Sequence, residues 1–160
     1  MEPSEAEMLK SLLQQRPVGA LATLHKGEPA ISMVPFAFMP DSATFVIHVS
    51  RLATHTNDML AHPAVALLIT ARCGDAESPL ALPRVSVQGL AARCERDSAD
   101  YRKARDVYLA RLPEAADLFS FGDFSLFLIA TRTVRFVAGF GRAMSIKAED
   151  LAAQLKGETQ

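Results

Sequence analysis

The sequence predicts a mainly β protein with flanking helices, built on a six-stranded antiparallel sheet closed into a barrel. Three observations predict it. Six segments show apolar alternation or short apolar runs, and most follow one another through short turns, so neighbours pair antiparallel. Helical periodicity is confined to short stretches at the ends and between strands. Closure of six strands removes the exposed edges that an open sheet would leave. The chain has 160 residues, 49% of them hydrophobic, and a mean hydropathy of +0.13. That fits one domain over 1–160 with its own core and some apolar surface left for a dimer interface.

The elements follow in order. Ser4-Glu5-Ala6-Glu7 has capping-box spacing, and Met8, Leu9, Leu12 and Leu13 recur at helical intervals. Pro17 ends that helix. Residues 18–24 read as a first strand and 29–38 as a second, joined by a turn at His25-Lys26-Gly27-Glu28. A turn over 39–42 leads to a third strand, 44–49, rich in β-branched and aromatic residues. Ser50 caps a short helix over 52–61, closed by His62-Pro63. An apolar run, 64–70, is the fourth strand. A polar stretch over 72–81 is a loop, and 84–94 alternates as the fifth strand. Asp97 or Ser98 caps a helix over 99–111 with Tyr101, Ala104, Val107 and Tyr108 on its apolar stripe. Residues 114–119 add a turn. Residues 125–138 form a long sixth strand, broken at Gly139-Phe140-Gly141-Arg142, and 146–155 form a terminal helix.

Charge and motifs exclude several functions. Lys and Arg total 17 against 18 acidic residues, a net charge of −1, and no basic run exceeds a pair. Neither a nucleic-acid binder nor a membrane-surface binder is implied. No apolar stretch approaches a bilayer span, and the acidic start does not read as a signal peptide. Cys73 and Cys94 read as free thiols in a reducing cytoplasm. There is no GxSxG, GxGxxG or P-loop. His55 and His62 flank one helix two turns apart, about 10 Å, too far to share one ion. No metal site is expected.

Three stretches carry candidate chemistry. Ser50-Arg51 lies at a strand end and opens a helix, where free N–H groups, a hydroxyl and a guanidinium converge on an anion, or where the serine simply caps. Thr56, within His55-Thr56-Asn57, adds a donor. Arg84 and Gln88 share one face of the fifth strand and mark a wet cleft or an exposed barrel face. The aromatic and glycine-rich stretches 119–124 and 139–142 either line a planar-ring pocket or form tight turns on the core.

Taken together, several segments carry a resemblance. They are Gly19-Ala20-Leu21-Ala22-Thr23, Pro29 through Phe36, Ser50-Arg51-Leu52-Ala53-Thr54-His55-Thr56-Asn57, His62 through Leu68, Pro83-Arg84-Val85-Ser86-Val87-Gln88-Gly89, Gly122-Asp123-Phe124 and Gly139 through Ala143. The chain resembles the pyridoxamine 5'-phosphate oxidase-like FMN-binding split barrels, and within them the heme-utilisation (HugZ-like) branch. The resemblance implies a homodimer with two FMN sites at the subunit interface and a flavin-dependent oxidoreductase acting on a small-molecule substrate. It implies that Ile31, Ser32, Met33, Val34 and Pro35 lay their backbone along the flavin. It implies that Ser50 and Arg51, with Leu52 and Thr56 in the same block, hold the phosphate, and that Arg84 and Gln88 approach the ring. Leu52 stands where the oxidases have a lysine, and Ala30 or Ile31 where they have an arginine, so pyridoxamine-phosphate oxidation itself is not implied. Heme binding or degradation is the alternative. The heme-degrading members use a late histidine as ligand, and no histidine follows His62 here. A cofactor-free dimeric binding module is a third reading.

Overall fold

The computed structural model describes residues 1–74 and 78–156. The middle of the loop expected over 72–81 and the last four residues lie outside them. The elements are α1 (Pro3–Gln15), β1 (Val18–His25), β2 (Glu28–Pro35), β3 (Ala37–Met39), β4 (Thr44–Ser50), α2 (Thr54–Ala61), β5 (Ala64–Thr70), β6 (Arg84–Cys94), α3 (Ala99–Arg111), β7 (Phe124–Gly139), β8 (Arg142–Lys147) and α4 (Ala148–Lys156). A 3-10 segment, Pro113–Ser120, follows α3.

All strands form one antiparallel sheet in the order β2-β1-β5-β6-β7-β4-β3, with β8 added to β7. The two ends of that order, β2 and β3, are consecutive in the chain. They are separated only by Phe36, whose N–H donates to the carbonyl of Pro17 at 3.3 Å. The sheet therefore curls until its ends meet, as the barrel expectation required. The strand count is eight where six were expected. One expected strand, 29–38, is split because Phe36 leaves the ladder and buries its ring completely. The other addition is β8. Its first residue was expected in the break over 139–142 and its last two in the terminal helix, but the surplus length of β7 gives the segment a partner. The terminal helix consequently begins at Ala148.

Local chemistry explains the joints. The β1–β2 turn puts Lys26 at φ 51° and Gly27 at φ 83°, the twin positive angles of a tight hairpin turn. Pro29 sits in an edge strand, where its missing N–H leaves no ladder bond unmade. The capping carboxylate of α1 belongs to Glu5, which accepts the N–H of Glu2 at 2.9 Å, so the helix starts earlier than Ser4.

β7 carries the barrel's change of face. Ile129 and Phe127 point into the core before the irregularity opposite Gln88/Gly89, and Val134 and Phe136 point in after it. The shift of one residue, at Arg132, inverts the alternation, which is what a bulge does. The interior holds Leu21, Phe36, Phe45, Ile47, Leu67, Ile69, Phe127 and Phe136, with α1 and α4 adding Leu9, Leu12, Leu13, Leu151 and Leu155. A second apolar cluster joins Val46, Cys94 and Leu126 to Ala104, Tyr108 and Leu112, so α3 roofs the outer side of β4.

Candidate functional site

The residues singled out by sequence fall on three neighbouring parts of the barrel. In β2 the side chains alternate. Ile31 (75% exposed), Met33 (64%) and Pro35 point outward, while Val34 is buried in the core. Ser32 points the other way and shares a 3.1 Å hydrogen bond with Nδ1 of His55 on α2. The same seam holds Asp58, whose Oδ1 accepts Nδ1–H of His25 at 2.7 Å and whose Oδ2 accepts the Thr23 hydroxyl at 3.0 Å. The hydrogen bond from His25 holds the Asp58 carboxyl below its ordinary range, helped by Thr23. Burial pushes the His55 imidazole down. These contacts clip α2 to β1 and β2.

At the corner after β4 the donors turn inward. The Ser50 hydroxyl donates to Asp123 Oδ2 at 3.0 Å and accepts the N–H of Leu52 at 3.1 Å. The Arg51 N–H is taken by the Asp123 carbonyl at 2.7 Å. Thr56, buried, donates its hydroxyl to the Ser50 carbonyl at 2.6 Å. Leu52 is 87% exposed. Arg51 joins Arg93 and Arg96 around a recess of about 290 Å³ that also holds Glu95 and Asp97, and Glu95 pairs with Arg93 at 2.9 Å. A carboxylate at the serine and two more in the recess offset much of the positive charge that a phosphate would need.

On β6, Arg84 donates Nη1–H to the Leu82 carbonyl at 3.0 Å, and the Gln88 side-chain carbonyl accepts the Thr133 hydroxyl at 3.0 Å. Both lie on the outer face of the barrel. Sequence reading left the rest of that face unnoticed. Register places Met33, Ala20, Leu68, Ser86 and Arg135 in one row across five strands. A second row runs Ile31, Ala22, Ala66, Gln88 and Thr133. Directly paired residues share a face. The face thus carries alanine at Ala20, Ala22 and Ala66 on β1 and β5, with Ile31 and Met33 on one side and polar and cationic side chains on the other. The signal for it was period-two alternation in four strands, which shows the outward residues but not which strands are neighbours. None of the four histidines belongs to it. His25 and His55 face the α2 seam, His48 lies under α3, and His62 ends α2, exposed. Among the described residues no His, Cys, Asp and Glu group is placed to hold a metal ion, and no helix is long and apolar enough to cross a membrane.

The outer face offers apolar side chains beside cations, whereas the corner's hydroxyls are already bonded within the chain.

The chain is 38% identical over 144 residues to the non-canonical, chloroplastic heme oxygenase HOZ of Arabidopsis thaliana, covering 88% of this chain and 42% of that protein. It is 28% identical over 145 residues to the heme oxygenase HutZ of Vibrio cholerae, covering 89% and 81%. The chain therefore spans less than half of the plant protein and most of the bacterial one. A heme-binding protein of Mycobacterium smegmatis superposes with a TM-score of 0.84 at 30% identity, over 96% of this chain and 62% of that one. These relatives correct the leading expectation. The flavoprotein oxidoreductase reading, with FMN as principal cofactor, is not supported by them, and the heme alternative is better supported. The resemblance alone had ranked FMN first because the Ser50-Arg51 block looks like a phosphate grip. Residues 6–138 match the family model of pyridoxamine 5'-phosphate oxidase. With that match and these relatives, the chain belongs to the pyridoxamine 5'-phosphate oxidase family, in its heme-utilisation branch.

Proposed function

We propose that the protein binds and degrades heme, holding it on the outer face of β2, β1, β5 and β6 as a homodimer. The observation that carries this reading is the uncovered face itself. Ala20, Ala22 and Ala66 leave a level floor on which a planar ring can lie, and Leu68, Ile31 and Met33 stand around it. Small side chains let a flat ligand approach the sheet closely, and the flanking apolar groups favour a ring over water. When bound, heme supplies the oxygen and electron chemistry that opens its own ring. The chain's residues bind the ring, fix its orientation and exclude water from it.

A second copy covers the same face. Ile31 and Met33 are large, apolar and exposed on an edge strand, a combination that favours burial against a partner. A ligand on the adjoining alanine floor then lies at the seam between two barrels. The free thiols Cys73 and Cys94 suit a reducing compartment such as the cytoplasm.

The test is a titration of hemin into the purified protein. A Soret band displaced from that of free hemin, saturating at one hemin per chain, is expected. Addition of ascorbate in air is then expected to bleach that band and produce open-chain tetrapyrrole absorption. The absence of a displaced band with protein at roughly tens of micromolar overturns the proposal.

A further inference from the structure

Where the alanine floor ends, the sheet becomes strongly basic. Arg84 on β6, Arg135 on β7 and Arg142 at the start of β8 line one cavity of about 380 Å³, with Ser86, Leu80 and Phe140 among its walls. Strands β6 and β7 therefore bring Arg84 and Arg135 to one basin, and Arg142 of β8 stands at its edge. Among the described residues no acidic one lines it. Glu5, from α1, accepts both Nε–H, at 2.8 Å, and Nη2–H of Arg142, so that cation is already paired. Arg84 is held in place by the Leu82 carbonyl. Among the described residues no carboxylate pairs with Arg84 or Arg135. Clustered like charges repel one another, and the arrangement is relieved when an anion enters. Guanidinium forks grip carboxylates through two parallel hydrogen bonds.

The basin is in register with the floor. Arg135 pairs with Ser86, and Ser86 pairs with Leu68. All three side chains share a face, and two interstrand spacings, about 10 Å, separate Leu68 from Arg135. That is the scale of a porphyrin. Phe140, 78% exposed at the tip of the β7–β8 turn, stands at the rim as an aromatic wall.

The geometry points to an amphipathic anchor: the Arg84–Arg135 basin seats the paired carboxylates of the tetrapyrrole, while its apolar edge lies over Ala20, Ala66 and Leu68. This rests on the heme reading above and adds the orientation of the ring. The carboxylate edge points toward β7 and β8, the apolar edge toward β2. The other cationic recess, around Arg51, does not compete, because Glu95 and Asp97 line it.

The experiment compares hemin with its dimethyl ester, in which both carboxylates are blocked. Each is titrated into the wild type, into R84Q/R135Q and into R102Q, which removes one positive charge at an exposed position on α3. Hemin affinity is expected to fall about tenfold for each arginine removed from the basin, and to be unchanged in R102Q. The ester is expected to bind the wild type more weakly than hemin does, and to bind R84Q/R135Q as it binds the wild type, which also shows that the variant's floor is folded. Equal hemin affinity in the wild type and R84Q/R135Q overturns the anchor, and so does an ester as tight as hemin in the wild type, which leaves the basin to a free anion. A wild type that binds neither compound overturns the heme reading and the anchor together.

Discussion

The outer side of β4 and of the first half of β7 carries Val46, His48 and Leu126 and lies beneath α3. The outer side of β1, β2 and β5 carries Ala20, Ala22, Ala66, Leu68, Ile31 and Met33 and has no roof among the described residues. Both belong to one sheet and obey the same alternation. The roofed part uses bulky and aromatic groups that interlock with a helix. The bare part uses small side chains in its middle and large apolar ones at its border. A face meant to be sealed by its own chain is built for interdigitation. The bare part is left open to a ligand or a second chain, the use proposed above.

Removing the roof gives the largest effect. Tyr108 is 2% exposed and meets the His48 and Phe119 rings edge-on, at 5.9 and 6.0 Å between centroids. Tyr108→Ala is expected to cost about 4 kcal/mol of unfolding free energy, as for other buried aromatics cut to alanine. Urea denaturation measures it. A loss below about 1 kcal/mol would mean that α3 is not packed as a roof.

Acid attacks the same side. His48 stacks on Phe119 at 3.8 Å, nearly parallel, with the Arg105 guanidinium 5.5 Å from that ring. Among the described residues the His48 Nδ1 has no partner. Burial, with the Arg96 charge second, pushes its pKa down to about 4. The unfolded chain therefore takes up a proton near pH 6.5 that the folded chain refuses until about pH 4. The stability from a neutral His48 is complete above pH 6.5 and is lost as pH falls through that window, on the order of 3 kcal/mol. His48→Phe keeps a ring against Phe119 and removes the titration. Its unfolding free energy, followed by urea titration at pH 7.5 and 4.5, is expected to change much less with pH than that of the wild type. An unchanged pH dependence would place the titration elsewhere.

The boundary between the two regions is the bulge. Gly89 on β6 lies there, opposite Thr131, and a Cβ added to it would come 2.5 Å from the Ala130 carbonyl oxygen and 2.9 Å from Ile129 Cγ2. The first obstacle is backbone and cannot rotate away. Gly89→Ala is therefore expected to destabilise by about 2 kcal/mol. Thermal melts compared with Gly122→Ala, where a Cβ meets nothing, separate the clash from the general effect of adding a methyl.

Much of this comparison was legible in the sequence. Alternation in 84–94 and the apolar run 64–70 fixed strands that the structure keeps, and Leu9, Leu12, Leu13 and Tyr108 were readable as buried stripes. The kink at Phe36 was not, because the residue is as good a strand former as its neighbours and only the closing of the barrel demands the break. β8 was hidden because its pairing depends on the length of β7 rather than on its own six residues. At the site, Ser50 was legible as a polar corner, but its partner Asp123 is 73 residues away, and no local pattern shows that the hydroxyl is already bonded. Arg135 was missed for a similar reason. A single arginine in an alternating strand marks only the outer face, and Arg84 and Arg142 become its neighbours through strand order.

The smallest effect on folding falls on the bare face. Ile31 and Met33 already point into water in the single chain, so Ile31→Lys/Met33→Lys removes little native packing, and each change is expected to alter unfolding free energy by no more than about 0.5 kcal/mol. Their effect on association is expected to be of another order. In a two-fold dimer each substitution appears twice, and burying lysines without partners costs far more than exposing them. Sedimentation at matched concentration is expected to give a dimer for the wild type and a monomer for the double variant, with closely similar melting temperatures for the isolated chains. A wild type that sediments as one chain, or a variant that remains two, would mean that the border of the floor serves the ligand alone. A variant that loses association and also loses hemin binding would show that the ring is completed by the second copy. One that loses association but keeps hemin would assign the floor and its arginines to a single chain.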